Sequence, residues 1–110
     1  MVEANRVVTK IMNRSYLDKI ATEIRKTAEP EAAENEDLLL YRVYAVLLLA
    51  KGQKVSAEDV HNAWSVWACE NEPNSKSLIP FQELSPSAQR KDSLYVEAIR
   101  KVAKHICSHR

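Results

Sequence analysis

Asp37-Leu38-Leu39-Leu40-Tyr41-Arg42-Val43-Tyr44-Ala45-Val46-Leu47-Leu48-Leu49-Ala50-Lys51-Gly52 is the most apolar stretch of the chain, and its reading decides the fold. The run from Leu38 to Ala50 is broken by Arg42 and falls short of the roughly 18 uninterrupted apolar residues of a membrane span. It therefore reads as a core helix, from about Asp37 to Lys51. Apolar side chains occupy nearly its whole circumference, which implies a central element covered by neighbours on several sides. Gly52, the single glycine of the chain, follows as a left-handed C-cap. The acidic, alanine-rich segment from Glu31 to Glu36 places negative charge at the amino end, where the helix dipole favours it.

Outward from this helix, both flanks are helical too. Upstream, Ser15 and Asp18 form a capping-box pattern ahead of Leu17, Ile20, Ala21, Ile24 and Ala28. That stripe is apolar, Lys19, Glu23, Arg25 and Lys26 are left to water, and Pro30 stops the helix. Downstream, Ser56-Ala57-Glu58-Asp59 repeats the capping pattern before Val60, Ala63, Trp64, Trp67 and Ala68, a helix that buries both tryptophans. Pro, Asn, Ser and Lys then dominate around Leu78-Ile79-Pro80-Phe81, an ordered loop pinned by buried side chains. Ser85-Pro86 reads as an N-cap with proline at the first helical position. After a short turn, Asp92 caps the last helix, whose stripe is Tyr95, Ala98, Ile99, Val102 and Ile106. No strand alternation or internal repeat is visible. The expectation is an all-α fold, a compact bundle of four main helices with an ordered loop between helices three and four. It forms one domain over residues 1–110, with 1–14 flexible or loosely held and 15–52 an N-terminal helix pair.

Composition narrows the function classes. The chain has 110 residues and a formal net charge of +1, so bulk charge does not favour nucleic acid, and one glycine excludes a phosphate-cradling Gly-rich loop. The first 13 residues lack a continuous apolar region and a cleavage site, which points to a cytoplasmic protein. Cys69 and Cys107 read as free thiols packed as small hydrophobes.

Chemistry-bearing constellations are sparse. A nucleophilic cysteine needs a base within hydrogen-bond reach, but His61 lies two helical turns before Cys69, and His105 and His109 flank Cys107 at offsets that point away on a helix. The His105/His109 spacing alone makes no zinc site without CxxC or HExxH, so no metal and no cofactor are expected. Carboxylates sit at helix starts and in loops, where capping explains them, and an enzyme is not expected. Helix two, the Gly52 turn and helix three have helix-turn-helix order. Yet the third helix opens with Glu58 and Asp59 where base-reading Arg, Lys, Asn or Gln belong, so nucleic-acid binding ranks third.

His61 and Trp64, followed by Leu78, Pro80, Phe81 and Leu84 and then Lys91-Asp92, occur in the order of the ryanodine receptor repeat (RyR) domain, which residues 56–107 resemble. Asn62 stands where that family has an acidic residue, and Ser75-Lys76 replaces its His-Pro. The whole chain also looks like short proteins of actinobacterial phages. The resemblance implies that Trp64, Leu78, Pro80, Phe81 and Leu84 build the scaffold. It further implies a cleft near His61 and Asp92, with Trp67, Lys76, Gln82, Arg90, Lys91 and Tyr95 beside it.

The leading expectation is a small non-catalytic accessory protein of phage type that acts by binding a host protein. The alternative is a module that binds or sequesters a nucleotide-type small ligand in that cleft. A homodimer is allowed if one face of helix two stays uncovered.

Overall fold

The computed structural model describes residues 15–32 and 37–108; the expected loose segment 1–14, most of the acidic loop and His109 lie outside the described residues. The helices are α1 (Tyr16–Ala28), α2 (Leu38–Lys51), α3 (Ala57–Asn71) and α4 (Pro86–Ser108), with short 3-10 turns at Gly52–Lys54 and Phe81–Glu83. Among the described residues the fold is all-α, as expected.

Local chemistry starts each helix. The Ser15 hydroxyl accepts the Asp18 backbone N–H at 3.1 Å, and the Asp18 carboxylate takes the Arg42 guanidinium at 2.5 and 3.1 Å, which ties α1 to α2. At α3 the capping box closes in both directions, Asp59 N–H to Ser56 Oγ at 3.2 Å and Ser56 N–H to Asp59 Oδ2 at 3.0 Å. Lys51 adds an ion pair to Asp59 at 3.2 Å. Burial pushes the Asp59 carboxyl up, but the bonds from Ser56 and Lys51 hold it below its ordinary value. Gly52 has φ 58 and ψ −131. The φ is positive as expected, yet this ψ lies outside the left-handed helical region and is accessible essentially to glycine alone.

α4 contacts α1, α2 and α3, and the core forms where it crosses them. Ala21, Ile24 and Ala28 of α1 meet Leu40, Tyr41, Tyr44, Ala45 and Leu48 of α2 and Val96, Ala98, Ile99, Val102 and Ala103 of α4. Tyr41, Tyr44 and Tyr95 cluster with ring centroids 5.4 to 6.3 Å apart. Tyr41 donates to Glu29 Oε1. Burial raises all three phenol pKa values, and for Tyr41 the bond to Glu29 adds to the rise. They stay neutral at physiological pH.

Three expectations need correction here. Arg25 is not left to water but 6 % exposed, because the turn after α1 folds back over it and the Ala32 carbonyl accepts its Nη1 at 2.8 Å. The last helix has no turn before Asp92: Ser85 supplies the cap, accepting the Ala88 N–H at 3.2 Å, and α4 runs unbroken from Pro86. Asp92 is thus a mid-helix residue. Cys69 and Cys107 are exposed rather than packed inside. α2 is covered on several sides, as expected, and Leu39, Val46 and Leu49 form a stripe about half exposed.

Candidate functional site: the cleft between α3 and α4

The loop after α3 is latched to two helices. His61, 3 % exposed on α3, reaches the Ile79 carbonyl through Nε2 at 2.6 Å. Because the partner is a carbonyl, Nε2 carries the hydrogen and donates. The imidazole also stacks on Trp64, with centroids 5.6 Å apart and planes 23° apart, and lies 6.2 Å from the Phe81 ring. From α4, Gln89 Nε2 donates to the Phe81 carbonyl at 3.0 Å and to that of Leu84 at 3.3 Å. Leu84 is buried, whereas Leu78 and Phe81 are half-buried and Pro80 is exposed. The loop is therefore held as much by hydrogen bonds as by apolar plugs.

Between the loop, α3 and α4 lies a half-open cleft of about 520 Å³. That volume lies within the range of small-ligand sites, roughly 300–1,000 Å³. Its aromatic lining comes from Tyr44 of α2, Trp64 and Trp67 of α3 and Tyr95 of α4. Both tryptophans are half-buried rather than buried, and both line the cleft. Arg90, Lys91 and Asp92 present consecutive charges from α4, and Asp37 and Glu72 are exposed carboxylates at the rim.

Asp92 is the chemically unusual member. Its Oδ2 is buried without a hydrogen-bond partner. Burial pushes its carboxyl above the ordinary carboxylate value, against the opposing pull of nearby His61. An acceptor left unmatched in this way is costly in a folded protein, and such a local inconsistency tends to mark a site kept for function.

Of the residues expected at the cleft, His61, Trp67, Arg90, Lys91, Asp92 and Tyr95 are brought together in its lining. Lys76 and Gln82 are exposed and do not line it. Sequence reading missed Tyr44, which reaches the cleft from α2, and Asp37, at the start of that helix. A backbone signal marks Asp37 in the structure, φ 52 and ψ 34, a left-handed conformation uncommon outside glycine.

Other functional geometries find less support in the layout. Among the described residues no three His, Cys, Asp or Glu side chains group to hold a metal ion, and no helix is long and apolar enough to cross a membrane. The first turn of α3 presents Glu58 and Asp59, and Lys51 is engaged by Asp59. Arg100 clamps the Val55 carbonyl through Nε at 3.0 Å and Nη2 at 2.6 Å, so its guanidinium serves the fold. Comparison with curated proteins and with solved structures finds no match. A family model described as a domain of unknown function, DUF7701, matches residues 15–104, and the chain belongs to that family.

Proposed function

We propose that this protein is a non-catalytic binding module whose α3–α4 cleft takes a small ligand of nucleotide type. One observation carries the reading: a single cleft brings together four aromatic rings, two adjacent cations and the Asp92 side chain. Flat aromatic surface suits a base, and Arg90 and Lys91 suit a phosphate. The resemblance of residues 56–107 to the RyR domain supports the same class of ligand.

A thermal-shift screen against mononucleotides, cyclic nucleotides and dinucleotides tests this at fixed salt and protein concentration. Ligand at one hundred times its dissociation constant stabilises the fold by about 2.7 kcal/mol, which raises the midpoint by several degrees. The shift should vanish in the double variant Arg90→Ala/Lys91→Ala, both exposed positions whose loss leaves the core intact. No shift across the panel removes the reading.

A second reading, a host-protein partner for a phage-type accessory protein, is favoured by the exposed stripe Leu39, Val46 and Leu49 of α2. A partner captured by the wild type and released by Leu49→Glu would support it; equal capture by the folded variant removes it. A concentration-dependent dimer lost in the same variant would make the partner a second copy of the chain.

A further inference from the structure

Among the described residues one face of α2 has no cover, and the chain upstream of α1 carries a segment of matching pattern and length. We propose that residues 4–12 form an amphipathic helix that docks its apolar side on the exposed stripe Leu39, Val46 and Leu49 of its own α2. The inference is independent of the cleft reading. It concerns the face on which the host-partner reading rests, and a partner there would have to displace this segment.

Leu39, Val46 and Leu49 follow at intervals of seven and three along α2, with half-buried Val43 between them, so they make one continuous line on its outer side. Tyr44, which lines the cleft, is two positions from Val46 and hence on the opposite side of the helix. Asp18, in the first turn of α1, shows where the upstream chain enters. Its carboxylate holds Arg42, which sits on the line of the stripe between Leu39 and Val46, so the start of α1 is beside the stripe. Ser15, the N-cap of α1, has extended backbone (φ −66, ψ 166), which separates α1 from any helix before it and lets the chain change direction there.

Upstream of that junction, Ala4, Val7, Val8, Ile11 and Met12 recur at offsets of three, four, seven and eight, the template of a helix with one apolar face. Asn5, Arg6, Thr9, Lys10 and Asn13 fill the positions between and fall on the other face. As a helix, residues 4–12 span about 12 Å, against about 15 Å from Leu39 to Leu49. A helix this short is marginal in water by itself and needs an apolar surface to hold it. The short tether through Asn13 and Arg14 presents the segment to its own stripe at an effective concentration of about millimolar, which favours this occupant over a second copy.

Amide hydrogen exchange of the full chain, read by mass spectrometry, tests the inference on the wild type, Val46→Glu and Ile11→Asp. In the wild type the amides of residues 5–12 should exchange about tenfold slower, or more, than those of an unstructured chain. Each variant should return them to the unstructured rate while α1, α3 and α4 keep their protection. Should Val46→Glu melt α2, Leu49→Gln makes the same test with a smaller change. Unprotected amides in the wild type, or protection that survives in either folded variant, overturns the inference. Protection that falls on dilution overturns it too, because the segment would then lie on a second copy.

Discussion

Replacing Asp92 with asparagine should make the protein more stable at neutral pH, although the change removes a charge from a helix without touching the apolar core. The carboxylate is half-buried, one oxygen has no partner, and its carboxyl is pushed above the ordinary value by burial. A buried acceptor left unsatisfied costs about 1–3 kcal/mol, and Asp92 falls at the lower end because its side chain is only part-buried and nearby His61 offsets the cost. Asparagine has nearly the same shape and a similar helix propensity, so the expected gain is about 1 kcal/mol, or roughly 4 °C in a domain of this size. The sign with pH follows from linkage. A carboxyl raised in the folded state contributes no penalty below its unfolded value, where both states hold the proton; stability is lost as pH rises through the folded-state value. The advantage of Asp92→Asn should therefore be full at neutral pH and disappear below about pH 4. Thermal melts of both proteins by circular dichroism across that range measure the difference directly. A variant less stable than wild type at neutral pH, or a gain that persists unchanged in acid, would refute the reasoning, because the carboxylate would then have a stabilising partner in the fold.

Three further substitutions probe the framework around the cleft. His61→Ala removes a ring that is 3 % exposed, its stack on Trp64 and its bond to the Ile79 carbonyl, and should cost about 2–4 kcal/mol by denaturant unfolding. Faster proteolysis within residues 72–84 than elsewhere should accompany it, and uniform sensitivity would mean that His61 does not latch the loop. Gly52→Ala meets open space at its Cβ, so any loss comes from backbone strain alone, about 1–3 kcal/mol. An unchanged midpoint would show that the turn relaxes. Arg100→Met keeps the aliphatic stem but strips both donors from the buried Val55 carbonyl and should cost about 1–2 kcal/mol in the same assay.

Much of the fold was legible because its determinants are local. Ser15 and Ser56 close bonds three residues away, Pro86 has its φ preset for the first helical turn, and apolar spacing marks the stripes of α1 and α4. Asp92 misled for the same reason, since a lone aspartate ahead of an apolar stripe has the signature of a cap. Only the Ser85 bond to Ala88, which starts α4 two turns earlier, shows otherwise. Arg25 was misread because solvent exposure was assigned from helix phase, whereas its burial depends on a chain reversal at residues 29–32.

By itself, then, the sequence determined four helices, the caps at Ser15 and Ser56 and the apolar stripes, because hydrogen bonds spanning three or four residues and a 3.6-residue period depend on neighbours in the chain. Tertiary structure decided what those faces meet. It left the tryptophans half-open on a cleft, drew Tyr44 in from α2, and set Asp92 there with an unpartnered oxygen. Burial and the matching of polar groups are properties of contacts between segments far apart in the chain, and no spacing within one segment encodes them.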